Sequence, residues 1–392
     1  MTETSKQDGN KRTALAGGED RIGALPDAVL EQILSFLPSR DAVRTCVLAA
    51  RCRTLWKSVP SLRINTSCEG YRNAHALSKF VNHLLLLRDR TPLHECEINS
   101  YYTTYDTGDV DEAFRYIELW LRYVVSCQVR VLRVRITSRQ RKDSCLTNLA
   151  LLSQHLTRLE LCSINAGGHF LDFSGCSALK VLKMEHCAIN AQRISSPSLS
   201  HLTIHDGSFM SDGRTRISAP KLNSVSGGAL FAGYTPLLEP MPSLVRVFLR
   251  FGETRDDQCD YSYYFGNCDS KPCGRCSYSY NKFHDNDDCV LLDDFSGLIY
   301  FVQHSPILER LTLQLKHSKE EFGTETDKSY NTRSQFLVSK HLKVVEIKCC
   351  EEDEIVHQIV KILGTHGVPS EHINIKPNFR NSGLRCFSFE QE

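Results

Sequence analysis

Leu156-Thr157-Arg158-Leu159-Glu160-Leu161, Leu179-Lys180-Val181-Leu182-Lys183-Met184 and Leu199-Ser200-His201-Leu202-Thr203-Ile204 repeat one phrase, with an apolar residue at its first, fourth and sixth places. The fourth and sixth places share one side of an extended chain, because successive side chains of a strand point to opposite faces. Further copies follow at Leu222-x-x-Val225, Leu244-x-x-Val247-x-Leu249, Leu308-x-x-Leu311-x-Leu313 and Leu342-x-x-Val345-x-Ile347. Looser ones precede at Leu93-x-x-Cys96-x-Ile98 and Val129-x-x-Leu132-x-Val134. Counted at the fourth place from residue 132, the steps are 27, 23, 20, 23, 22, 64 and 34 residues. Most match a coil that supplies one short strand, and such a coil buries its apolar side only by stacking on its neighbours. Proline turns at Ser196-Pro197, Ala219-Pro220, Met241-Pro242 and Ser305-Pro306 break the chain just before four of the copies, which supports the register.

Outward from these phrases, helix and strand alternate. Leu77, Phe80, Val81, Leu84 and Leu85 fall on one helical face before the strand-like Leu93–Ile98. Phe114, Ile117, Leu121 and Val124 do the same before Val129, Val131, Leu132, Val134 and Ile136. The expected class is α/β: an irregular leucine-rich-repeat solenoid, or horseshoe, over residues 66–350. The step of 64 marks an insertion over about 253–294, which holds ten Asp/Glu, four Lys/Arg and five Cys. Neither period fits it, so it reads as a loop leaving the solenoid. Residues 351–392 offer an acid-led helix with Ile355, Ile359, Ile362 and Leu363, then Ile373-Asn374-Ile375 as a last strand. That helix and strand are expected to cap the open end.

With 47 Lys+Arg against 46 Asp+Glu, the formal charge is +1, so no bulk attraction to nucleic acid or to anionic lipid is expected. The longest apolar stretches, such as Leu84–Leu87, are far short of the roughly 18 residues that span a bilayer. Residues 1–20 are polar, read as a disordered tail and lack a secretory apolar core, which predicts a cytoplasmic or nuclear protein. Many of the 17 Cys, among them Cys46, Cys162, Cys187 and Cys349, sit in apolar runs, where a thiol serves as a small hydrophobe.

Residues 21–65 change character. Leu25-Pro26-Asp27 opens a run with Leu30, Ile33, Leu34 and Leu37, closed by Pro38. A second run covers Asp41 to Ala50, and a third carries Leu55 and Trp56. Three short helices cannot bury so many apolar side chains among themselves, so some must face a partner. The series Leu25-Pro26-Asp27-x-Val29-Leu30-x-x-Ile33-Leu34-x-x-Leu37-Pro38-x-x-Asp41-Ala42-Val43-x-Thr45-Cys46-Val47-Leu48, ending at Trp56, resembles an F-box. Phe80–Arg88, Trp120–Tyr123 and the proline-preceded repeats resemble the plant F-box/FBD/leucine-rich-repeat proteins, with an FBD-like cap at the C-terminal end. The resemblance implies a substrate-recognition subunit of a Skp–cullin–F-box ubiquitin ligase, docking a Skp-type adaptor and, through it, cullin, while the repeats hold a target protein. On the family pattern the adaptor-facing residues are Leu25, Pro26, Ile33, Leu34, Leu37, Val43, Cys46, Val47, Leu48 and Trp56.

No nucleophile elbow, phosphate-binding loop or His-Glu-x-x-His is present, so no catalytic residue and no cofactor are expected. His155, His169, His186, His201 and His205 recur within repeats and read as surface residues. Cys273-Gly274-Arg275-Cys276 resembles half of a zinc knuckle, but no second pair completes it. No metal is therefore expected, and a repeat scaffold with a zinc-binding insertion remains the alternative. Arg130, Arg133, Arg135, Arg139, Arg141 and Lys142 form a basic stretch, whose strand arginines are either a solvated sheet face or a site for an acidic peptide or phosphate.

Overall fold

The computed structural model describes residues 24–65, 74–102, 110–138, 146, 149–211, 215–227, 232–233, 236–251, 305–315, 341–349, 354–365 and 367–377. The expected tail over 1–20 and the insertion over 253–294 lie outside them.

Three short helices come first: α1 (Asp27–Ser35), α2 (Ser39–Arg44) and α3 (Cys52–Ser58). Pro26 and Pro38 stand at the entrances to α1 and α2 with φ of −60° and −53°. Their missing N–H groups are no loss there, because the first amides of a helix lack an intrahelical acceptor. The second helix is shorter than the run of apolar residues suggests. It ends at Arg44, and Thr45–Val47 tighten into a 3-10 turn in which the Thr45 hydroxyl donates to the Ala42 carbonyl at 2.7 Å.

Strands and helices then alternate through β1 (Ser61–Asn65), α4 (Ala74–Leu87), β2 (Glu95–Tyr102), α5 (Val110–Ser126) and β3 (Val131–Ser138). Short strands follow: β4 (Arg158–Cys162), β5 (Asn165–Gly167), β6 (Val181–Glu185), β7 (Ala188–Asn190), β8 (Arg193–Ser195), β9 (His201–His205), β10 (Ser208–Phe209), β11 (Arg216–Ser218), β12 (Ser224–Gly227), β13 (Ala232–Gly233) and β14 (Leu237–Leu238). The series ends with β15 (Arg246–Phe251), β16 (Arg310–Leu315), β17 (Val344–Cys349), α6 (Glu354–Thr365) and β18 (Ile373–Pro377).

The main sheet is parallel throughout and has 11 strands in the order β1-β2-β3-β4-β6-β9-β12-β15-β16-β17-β18. The fourth residues of the sequence phrases stand side by side across it: Cys96, Leu132, Leu159, Leu182, Leu202, Val225, Val247, Leu311 and Val345. All nine are buried. The row gains Leu62 of β1 at one end and Ile373 of β18 at the other. β15 pairs directly with β16, although the fourth places of their phrases are 64 residues apart. In three of the four proline turns the leucine N–H donates back to the residue before proline, at 3.0 to 3.1 Å: Leu222 to Ala219, Leu244 to Met241 and Leu308 to Ser305. Proline thus sits at the second position of a tight turn, where its fixed φ is favourable.

Two smaller parallel sheets, β13-β10-β7-β5 and β14-β11-β8, use strands of two or three residues that alternation cannot signal. The chain turns toward the first of them through Ser163, His186 and Asp206, one residue past β4, β6 and β9, with φ of 57°, 53° and 51°. This left-handed backbone is costly for a side-chain-bearing residue. Hydrogen bonds to the end of the next strand offset it: the Ser163 N–H donates to the Glu185 carbonyl at 2.8 Å and the His186 N–H to that of His205 at 2.9 Å. A single apolar core runs from Leu30, Leu34, Leu55 and Trp56 of the helices into Leu62 and Ile64 of β1 and on through the sheet.

Candidate functional site

Helix α1 carries apolar residues on two faces. Leu30 and Leu34, four apart, point into the core, while Val29, Ile33 and Phe36, at spacings of four and three, form a second face in solvent. Ile33 is 45% exposed and Phe36 67%. Beyond α2, the 3-10 turn leaves Val47 and Leu48 exposed at 82% and 78%. These are large values for big hydrophobes, and exposed apolar faces of this kind mark interaction sites.

Of the ten residues expected to face an adaptor, Pro26, Ile33, Val47 and Leu48 are exposed, and Leu25, Leu37, Val43 and Cys46 are half-buried against the core. Leu34 and Trp56, at 7% and 8% exposed, lie inside the isolated chain, because α3 packs across α1 and the strand β1 closes beneath them. The Trp56 Nε1–H is satisfied locally by the Arg53 carbonyl at 3.0 Å. Val29 and Phe36, outside those ten, share the exposed stripe at 29, 33 and 36. Crossed contacts hold the face in place: Arg51 pairs with Asp27 at 2.6 Å and also donates to the Leu25 carbonyl, and the Ser58 hydroxyl donates to Glu31 Oε1 at 2.6 Å.

The helices are fastened to the sheet by two arginines. Arg63 of β1 donates Nε to the Ser35 carbonyl at 3.1 Å and Nη1 to Glu97 Oε2 at 3.1 Å, and its own N–H goes to Ser39 Oγ at 3.0 Å. Arg88, past α4, is buried and donates to the Val59 carbonyl, while the Asp89 N–H donates to the Lys57 carbonyl at 3.2 Å. Burial lowers the Arg88 pKa from its ordinary value.

Arg63 also begins a row of alternating charge. Across β1, β2, β3, β4 and β6 the outward residues in register are Arg63, Glu97, Arg133, Glu160 and Lys183. Arg133 pairs with Glu95 and, at 3.1 Å, with Glu160, and Arg158 reaches Glu160 at 2.5 Å. Lys183 pairs with Glu185 at 2.8 Å. Burial raises the Glu160 pKa, but the hydrogen bond from Arg158 and the charges of Arg133, Arg158 and Lys183 outweigh it and hold the carboxyl below its ordinary range. Residues of this row line a cavity of about 180 Å³, together with Asn99, Arg135, Cys162 and Glu185. Of the basic stretch, Arg133 is thus occupied, Arg130 and Arg135 are exposed, and Arg139, Arg141 and Lys142 lie outside the described residues.

A family model described as F-box domain matches residues 22–64. An F-box/FBD/LRR-repeat protein of Arabidopsis thaliana is 30% identical over 259 residues, covering 58% of this chain and 59% of the relative. A second F-box/FBD/LRR-repeat protein of that plant is 40% identical over 98 residues, 25% of this chain and 20% of the relative. A third is 26% identical over 314 residues, 76% of this chain and 68% of the relative. Outside the F-box match, the chain is similar to plant F-box/FBD/LRR-repeat proteins. The match to the first two relatives spans less than two thirds of their length.

The F-box match includes α1 to α3 and most of β1, so the F-box runs without a break into the first strand of the main sheet. Downstream of it, Cys96, Cys127, Cys162, Cys176, Cys187 and Cys349 form no disulfide, nor do Cys46 and Cys52 within it. Burial pushes Cys187 up to about 12 and raises Cys96 and Cys176 as well, which keeps these thiols protonated and inert. The cysteines of the half knuckle lie outside the described residues. Among the described ones no group of three His, Cys, Asp or Glu could hold a metal ion, and no helix is long and apolar enough to cross a membrane.

Proposed function

We propose that this chain is the substrate-recognition subunit of a Skp–cullin–F-box ubiquitin ligase, non-catalytic and acting in the cytoplasm or nucleus. The observation that carries this is the uncovered apolar face of α1, with Val29, Ile33 and Phe36, beside the exposed Val47 and Leu48, all within the F-box match. A Skp-type adaptor would cover Pro26, Ile33, Val47 and Leu48 together with Val29 and Phe36, with Leu25, Leu37, Val43 and Cys46 at the edges of the contact. Leu34 and Trp56 would support that surface from beneath. The parallel strands fit a leucine-rich-repeat solenoid, with α6 and β18 as a C-terminal cap, and its outward polar face would hold the target protein. Tying the F-box to β1 through Arg63 would fix the target's position relative to the cullin-bound machinery.

The test is co-expression with a Skp-type adaptor. Wild-type chain retains the adaptor through purification, and Ile33→Asp and Phe36→Asp lose it while keeping the wild-type melting temperature. Failure of the wild type to retain any Skp-type adaptor overturns the proposal and leaves a repeat scaffold working outside a ligase.

A further inference from the structure

On the outward face of β1 to β6, each carboxylate already holds a cation: Glu95 and Glu160 share Arg133, Glu97 holds Arg63 and Glu185 holds Lys183. Arg135 differs. It stands two residues further along β3 than Arg133, exposed and lining the cavity, with no carboxylate against it among the described residues. Its neighbours in register are Asn99 on β2 and Cys162 on β4, an amide and a thiol. Among the described residues, the other charges that line the cavity are therefore paired and the Arg135 guanidinium is unmatched. A cavity of about 180 Å³ falls below the roughly 300–1,000 Å³ of small-molecule pockets. It suits one side chain.

We infer that this cavity takes a single anionic side chain of a bound polypeptide, a carboxylate or a phosphate, with the Arg135 guanidinium as its principal partner and the Asn99 amide as a second donor. A planar fork of N–H donors matches both acids, and a charge-assisted pair is stronger than a neutral one. The paired charges matter as much as the unmatched arginine. Because Arg133 and Lys183 are held by Glu160 and Glu185, they offer no competing seat, and the position of the anion along the peptide is fixed over β3. The inference rests on the proposed function, in which the outward sheet face holds the target, and names the chemical class that the face selects.

The experiment uses the full chain with its adaptor and an array of immobilised short peptides in which one position is fixed in turn as Glu, phosphoserine, Gln or Lys. The wild type binds the fixed Glu or phosphoserine set about tenfold more strongly than the Gln set, the scale of one charge-assisted contact. Arg135→Gln removes that difference, Arg135→Lys keeps part of it, and Arg193→Gln on the third sheet leaves it unchanged. Phosphoserine above Glu identifies a phosphate as the source, and Glu above phosphoserine a carboxylate. Equal binding of the Glu, phosphoserine and Gln sets by the wild type, or an anion preference that survives Arg135→Gln, overturns the site. Adaptor retention, read on the same samples, is separate: its loss with the anion preference intact overturns the ligase reading and supports the site.

Discussion

The F-box and the main sheet solve opposite surface problems. The sheet keeps its apolar residues inside, with Leu132, Leu159, Leu182 and Leu202 buried in one row, and shows solvent a face of paired charges. The F-box leaves Val29, Ile33, Phe36, Val47 and Leu48 in water. The reason is size. Three helices of nine, six and seven residues have too little volume to cover all their apolar side chains, whereas each inner strand of the main sheet has a bonded strand on either side. An apolar face left open gives affinity by area without selecting a particular sequence. A face of matched charges binds little by itself and discriminates through the charge left unmatched.

The comparison breaks if exposed and buried residues of the F-box behave alike on truncation. Trp56→Ala empties a packed site and should cost about 3–5 kcal/mol by urea denaturation. A stability loss below about 1 kcal/mol would mean that Trp56 is not core. Leu182→Ala, in the middle of the buried row, should cost about 2–5 kcal/mol, and its cavity has coils on both sides to hold it open.

Smaller effects sharpen the contrast on the sheet face. Glu160→Gln removes the carboxylate shared by Arg133 and Arg158 and should cost about 1 kcal/mol, since the pairs are partly solvated. Its pH dependence has a definite sign. The folded carboxyl lies below the ordinary value of 4.5, so its stabilisation is complete above that pH and is lost as pH falls through the lower folded value. The wild-type urea midpoint should therefore drop more steeply below pH 4.5 than that of Glu160→Gln. Least affected in stability should be Ile33→Ser and Val47→Ser, within about 0.5 kcal/mol, because their side chains are in water in the isolated chain. Their effect belongs in adaptor retention, which should be lost. A large stability loss without loss of adaptor would reverse the assignment of these two residues.

Much of the fold is legible in the sequence because the leucine phrase is a local pattern. Leu159, Leu182, Leu202 and Val247 could be aligned by spacing alone, and the hydrogen-bonded ladder joins the same positions. The strands of two or three residues are not legible, since Ser208–Phe209 is too short to alternate. The left-handed turns at Ser163, His186 and Asp206 share a place and not a residue type, so no letter in the sequence marks them. In the F-box, spacing identifies an apolar helix without saying which of its stripes turns inward.

The sequence by itself determined that strands recur, that their fourth residues align and that a short helical unit carries more apolar surface than it can hide. Each follows from the order of residues along the chain, through periods of two and 3.6 that local geometry imposes. Only the tertiary structure decided that Leu34 and Trp56 go inside while Ile33 and Phe36 stay out, and that Arg133 is taken by Glu95 and Glu160 while Arg135 is left over. Burial and ion pairing are relations between residues distant in sequence. Glu160 is 27 residues from Arg133 and Glu95 is 38, and only the stacking of β2, β3 and β4 brings them together.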